Sequence, residues 1–186
     1  LTTLLGGCIQ VTTDLDFPAP GRIQVSERFS SRSGLVLPWQ KQVEQRLSDR
    51  QLRVQPADPA APPGTVTLRS GVLPADEALA LIRSSLGTAL ELADLPPIAP
   101  TIQWQERNWL IGVQQHLSLE VDLQSLQAVP GLELNLALEN TPARAVHRAS
   151  PRAIDPQGQR LIWPLQPGRL NVLELRCWRW SRLGLG

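Results

Sequence analysis

Ile9-Gln10-Val11-Thr12-Thr13-Asp14-Leu15-Asp16-Phe17, then Pro18-Ala19-Pro20-Gly21, then Arg22-Ile23-Gln24-Val25-Ser26-Glu27-Arg28-Phe29: this stretch decides the fold class. Ile9, Val11, Leu15 and Phe17 alternate with polar residues, with Thr13 in phase, which is the period of a half-buried strand. Ile23, Val25 and Phe29 alternate again, with Glu27 in phase. The prolines and the glycine between the two runs make a turn, so the runs form a β-hairpin. A hairpin pairs strands antiparallel, because a parallel connection needs a crossover of a dozen or more residues.

Downstream, Pro38 suits the first turn of a helix, where its missing N–H has no partner to lose. Trp39, Val43 and Leu47 then recur on one face of a helix over 38–49. Leu52 and Val54 form a short strand, the proline-rich 56–64 a loop, and Val66, Leu68 and Val72 another strand. Pro74, Asp76 and Glu77 open a second helix over 75–93, the acidic pair matching its N-terminal dipole. Its apolar face is Leu79, Ile82, Leu86, Leu90 and Ala93, and Pro96-Pro97 ends it. Period-two spacing returns from Thr101. Ile102 and Trp104 precede a tight turn expected at Arg107-Asn108. Leu117, Leu119, Val121 and Leu123 form one run, and Leu132, Leu134, Leu136 and Leu138 another. Residues 141–159 read as a weak strand and a long polar loop. Leu161–Leu165 and Leu170–Trp180 close the chain as strands joined across Gln166-Pro167-Gly168. The expected fold is α+β: one antiparallel sheet covered by two packed helices, with no internal repeat and no second domain.

Composition narrows the function. The chain has 186 residues, 42% of them hydrophobic, enough for one domain with a core. A net charge of +1 excludes a strongly basic nucleic-acid binder, so no nucleic-acid partner is expected. No apolar run reaches about 18 residues, so no complete transmembrane helix is present. Basic charge gathers late: residues 141–186 hold eight arginines against Asp155 and Glu174. The chain has no Met. It opens on Leu1-Thr2-Thr3-Leu4-Leu5-Gly6-Gly7, read as a signal-peptide remnant over 1–7 whose basic start is missing.

Leu5-Gly6-Gly7-Cys8 fits a lipobox: an aliphatic residue, two small residues and a Cys whose thiol takes a diacylglyceryl group. The two small residues give a peptidase access to the bond before Cys8. The competing reading is a buried Cys8 or a disulfide with Cys177, the other thiol. With Cys8 acylated, Cys177 is a small core residue beside Leu173 and Leu175. His116 and His147 have no metal-ligand spacing, and no catalytic or nucleotide-binding motif occurs. The expectation is therefore no enzyme, no metal and no cofactor. The pairs Asp14/Asp16 and Glu120/Asp122 are expected to be solvated strand carboxylates. Trp178-Arg179-Trp180-Ser181-Arg182 suits a membrane–water interface, where an indole and a snorkelling cation both fit. The alternative puts one Trp in the core and one on an edge.

The lipobox running straight into Ile9–Phe17 and Gly21-Arg22-Ile23 forms one end of a pattern. Leu161-Ile162-Trp163-Pro164-Leu165-Gln166-Pro167-Gly168, Asn171-Val172-Leu173-Glu174 and Ser181-Arg182-Leu183-Gly184 form the other. Together they resemble the LppM-like lipoproteins of cyanobacteria and mycobacteria. The resemblance implies a single α+β domain over 8–180 with a barrel-like, curved sheet. It implies a lipidated N-terminus at Cys8, and a lipid-binding role on the mycobacterial branch. It also makes 181–186 a tail leading toward a C-terminal membrane helix, although no helix follows Leu183-Gly184-Leu185-Gly186. The family carries no catalytic motif, and Cys8 alone transfers as a functional residue.

Two functions fit these residues. One is a membrane-anchored, extracytoplasmic module, in the periplasm or cell envelope or on the lumenal side of a thylakoid, with membrane lipid as its partner. Leu79, Ile82, Leu86, Leu134 and Leu136 would then line an apolar pocket, with Trp104 or Trp109 near its mouth. The same leucines can equally fill a core. The other is an assembly factor that docks onto a membrane protein. A deep apolar cavity favours the first, and a filled core with an exposed apolar patch favours the second.

Overall fold

The computed structural model describes residues 9–31, 37–48, 51–56, 58, 59, 61, 64–92, 95–126, 131–140, 146–150 and 160–180. Cys8, Arg182, the segment 1–7 and the tail 181–186 lie outside the described residues. The hairpin is β1 (Ile9–Ala19) and β2 (Arg22–Ser31). Its turn closes at Gly21, whose φ of 63° is one that a residue without a Cβ adopts freely. Helix α1 (Leu37–Ser48) and β3 (Leu52–Val54) follow, and β4 (Val66–Pro74) runs directly into α2 (Ala75–Leu92). Next come β5 (Thr101–Trp109), β6 (Gly112–Asp122), a short 3-10 turn at Gln124–Leu126 and β7 (Leu132–Leu138). The chain finishes with β8 (Val146–Ser150), β9 (Leu161–Leu165) and β10 (Leu170–Trp180).

The α+β class and both helices match the reading of the sequence. The sheet does not form one curved, barrel-like layer. There are two sheets, β3-β4-β2-β1-β7-β9 (sheet A) and β5-β6-β10-β8 (sheet B), and neither closes on itself. Nor is sheet A wholly antiparallel, because β1 pairs with β7 in parallel, from Ile9 with Leu132 to Leu15 with Leu138. The two strands are far apart in sequence, so no hairpin-length connection dictates their direction. The turn expected at Arg107-Asn108 lies three residues further on, at Leu110-Ile111. β5 continues through both residues, and Trp109 pairs with Gly112 around Leu110-Ile111.

Alternation explains the core. Odd-numbered residues of β1 and β2 and even-numbered residues of β7 face inward in register: Val11 beside Leu134 and Phe29, Leu15 beside Leu138 and Val25. Sheet B turns Leu117, Leu119, Leu173 and Leu175 the same way, and all four are buried. Helix α2 packs against β2, β4 and β5 and so bridges the two sheets, while α1 packs on β3, β4 and α2. The largest wholly buried side chain is Trp163, on the inner face of β9 beside Leu136. Trp163→Ala should lower the unfolding free energy by about 3–5 kcal/mol, since the cavity it leaves cannot fully collapse. A lower urea midpoint at an unchanged m value checks this.

Candidate functional site

The two faces of β1 are both buried between Val11 and Leu15, and they are chemically opposite. The inner face holds an apolar space of about 30 Å³ between the sheets and α2. Of the residues singled out for a ligand pocket, Ile82, Leu86, Leu134 and Leu136 all line it. Leu79 is buried in the same core. The space admits roughly two water-sized groups, and an acyl chain would need it to open.

Beside this space lies Glu27, whose phase with Ile23, Val25 and Phe29 puts a carboxyl in the core with 1% exposure. Thr13 Oγ1 donates to its Oε2 at 2.9 Å and Ser85 Oγ to its Oε1 at 2.7 Å. These two bonds tie β1 and α2 to β2. Loss of water around Glu27 pushes its pKa up to about 7, against the two hydroxyl hydrogen bonds, which favour the ion.

The outer face of sheet A carries the larger recess. A groove of about 630 Å³ crosses it at the Ile9 end. β1 and β2 line it with Gln10, Thr12, Arg28 and Ser30; β7 adds Glu133 and Asn135, and β9 adds Ile162 and Pro164. Its floor is anchored by Asp14, which is 1% exposed and not solvated as the sequence suggested. Arg160 donates from Nε to Asp14 Oδ1 at 2.9 Å, and its Nη2 reaches the same oxygen. Arg28 Nη2 stands 3.7 Å from Oδ2. Burial raises the Asp14 carboxyl, and the Arg160 and Arg28 guanidinium groups oppose that rise. Further along sheet A, Arg69 Nη2 donates to Gln24 Oε1 at 2.8 Å and lies 4.0 Å from Glu139. Among the described residues no His, Cys, Asp and Glu side chains group as metal ligands would.

The aromatic residues divide between the two faces of sheet B. Trp104 faces inward and stacks on Phe17, with ring centroids 4.6 Å apart. Trp109 lies on the outer face, with Trp178 and Trp180 two strands away. Arg179 points inward instead, where a nitrogen of its guanidinium donates to the backbone carbonyl of Phe17. Cys177 is a free thiol, buried, and burial pushes it up to about 12. Arg28, Arg160 and the Leu110-Ile111 tip carried no motif in the sequence; only Glu27, a charge in an apolar phase, left a signal there.

This is a two-sheet α+β domain with a filled interior and a half-polar, half-apolar groove on one outer face. Residues 13–186 match the family described as Protein of unknown function (DUF3153), and the chain belongs to that family. Its fold is also that of the folded domain of LppM from Mycobacterium tuberculosis, solved by NMR. The TM-score is 0.55 at 12% identity, over 99% of this chain and 96% of the other. No curated protein matches the chain in sequence. Among the described residues no helix is long and apolar enough to cross a membrane.

Glu27 gives the fold a pH dependence. Its folded pKa lies above its unfolded value of 4.5, so the folded state keeps a proton that the unfolded state releases. Its contribution is therefore complete below about pH 4.5 and is lost as pH rises through 7. Urea unfolding should show a loss of roughly 3 kcal/mol across that window. Glu27→Gln should remove most of the slope. Asp14 and Glu139, also raised by burial, leave a residual decline of the same sign.

Proposed function

We propose that the chain is a membrane-held, extracytoplasmic binding domain without enzymatic activity, and that it seats an amphiphile in the groove on the outer face of sheet A. The observation that carries this reading is the division of the groove's walls. Ile162 and Pro164 of β9, with Pro167 just beyond, offer an apolar wall, while Gln10, Thr12, Arg28 and Ser30 offer hydrogen-bonding groups opposite, and Glu133 and Asn135 of β7 lie between them. An apolar tail lies against the first wall, and head-group oxygens accept hydrogen bonds from the second. A volume of about 630 Å³ is within the range of small-molecule sites.

The tether in this reading is a lipid on Cys8. Cys8 directly precedes Ile9, which enters β1 at the groove end. Acylation there holds the groove beside the bilayer, the nearest source of amphiphiles. A second reading, an assembly factor docking onto a membrane protein, draws support from the small volume left inside the core.

Titration with single-chain phospholipids below their micelle concentration separates the two readings. The chain should bind them with 1:1 stoichiometry. Ile162→Asp and Arg28→Ala should each weaken binding by about tenfold, the scale of one lost apolar contact or charged hydrogen bond. No binding, or groove variants that bind like the parent, would leave the docking reading. The tether has its own test. Expressed behind a lipoprotein leader and ending at Gly186, the chain should enter a detergent phase, and Cys8→Ala should return it to the aqueous phase. Equal partitioning of the two would remove Cys8 as the anchor.

A further inference from the structure

The hairpin between β5 and β6 ends in a surface that neither turn chemistry nor solvation explains. Leu110 is 99% exposed, Ile111 54%, Trp109 51% and, on the neighbouring β10, Trp180 63%. Two-residue hairpin loops favour Asn, Asp and Gly, which accept a positive φ. Among the described residues the non-glycine positive-φ positions are Gln51 and Asn140, so Leu110 and Ile111 supply neither the usual residues nor the usual backbone.

The register gathers aromatic rings around this tip. Gly112 pairs with Trp109 on one side and Trp180 on the other, so all three share the outer face of sheet B. Gly112 brings no side chain to that face. A Cβ there would come within 2.8 Å of the Trp178 ring and 2.6 Å of the Arg179 carbonyl oxygen. Trp178 meets Trp180 edge-on at 5.7 Å. The Arg107 guanidinium stands 5.9 Å from the Trp109 ring centre, and Arg176 is exposed two residues before Trp178 on the same face. Glu106, on the opposite face, accepts a hydrogen bond from the Gly21 N–H.

We propose that this tip, Trp109-Leu110-Ile111 with Trp180, docks into the interfacial layer of a phospholipid bilayer. The shape favours a bilayer over a protein. A two-residue convex tip buries little area against a flat partner, whereas a fluid bilayer closes around it. The chemistry agrees. Indole rings with flanking guanidinium groups suit the head-group layer, and isolated aliphatic tips suit the acyl boundary beneath it. Arg107 and Arg176 add attraction to anionic head groups. The tip lies at the other end of β1 from the groove, so the two sites can fail separately.

The test uses the 186-residue chain with Cys8→Ser, so that no acyl chain contributes. It is floated with phosphatidylcholine vesicles, with and without phosphatidylglycerol. The parent should float with both, more with the anionic mixture. High salt should remove only the excess, because apolar insertion is not screened. Its Trp fluorescence should shift to the blue and be quenched by lipids brominated near the head group. Leu110→Asp with Ile111→Asp should cut the bound fraction by about tenfold or more, with the thermal midpoint unchanged since neither side chain is buried. Ile162→Asp, in the groove, should float like the parent. A parent that fails to float, or tip variants that float as well as it does, would overturn the proposal. So would a dimer in solution that the tip variants split, since a second copy would then be the occupant.

Discussion

A carboxylate with 1% exposure in one of the two central strands of a six-stranded sheet has to be answered by cations, and the outer half of this domain is built around that answer. Taking an ion such as Asp14 out of water costs several kcal/mol unless it is paired and hydrogen-bonded. Arg28 comes from the adjacent β2. Arg160 comes from 146 residues further along the chain, just ahead of β9. The pair therefore joins the first strand to the last strand of sheet A. It also bears on register, because a shift of β1 by one residue would carry Asp14 to the inner face among leucines. Leu134, Leu136 and Leu138 fix the same register from the parallel side. Loss of Arg160 alone would leave a buried charge with only a distant partner, a situation that costs about 3–5 kcal/mol elsewhere.

The inner face solves a different problem with weaker means. Among the described residues Glu27 meets the hydroxyls of Thr13 and Ser85 and no guanidinium. With a pKa near 7 it shares its proton with solvent at neutral pH, while Asp14, on the other face of the same sheet, is held by arginines. Helix α2 shares in that arrangement through Ser85, and Arg83 adds a second polar contact by donating to the Ile102 carbonyl of β5. With leucines filling the space between the sheets, the larger recess forms where side chains diverge. That happens on the outer face, between the polar strands β1 and β2 and the apolar strand β9.

Local signals were legible in the sequence and distant ones were not. The β1–β2 hairpin, α2 and the alternation of β7 follow from neighbours a few residues apart. The division into two sheets and the parallel β1–β7 pair join segments over a hundred residues apart, where no turn signal reaches. Asp14 looked like a solvated strand carboxylate because its partner lies beyond seven further strands. Glu27 did announce itself, by standing where an apolar residue should. The turn after β5 was misplaced onto Arg107-Asn108 for a physical reason: Leu110-Ile111 looks like strand, and a loop made of strand-forming apolar residues carries no turn chemistry. The curved barrel came from family resemblance, and the α2 bridge between two open sheets replaces it.

The placement of the two ends constrains how such a molecule could meet a membrane. β1 has 11 residues, so its ends are about 35 Å apart. Ile9 is at the groove end. Phe17, held by the Trp104 ring and by Arg179, marks the end that carries the aromatic tip. A lipid on Cys8, the tether proposed above, would have no spacer before β1 begins. A molecule using both contacts in one bilayer therefore lies with β1 along the surface, and cannot stand upright on its tether. Upright, the tip would be carried about a strand length from that bilayer, where only an opposing membrane could receive it. The short reach from Cys8 to β1 thus turns two separate contacts into a statement about orientation.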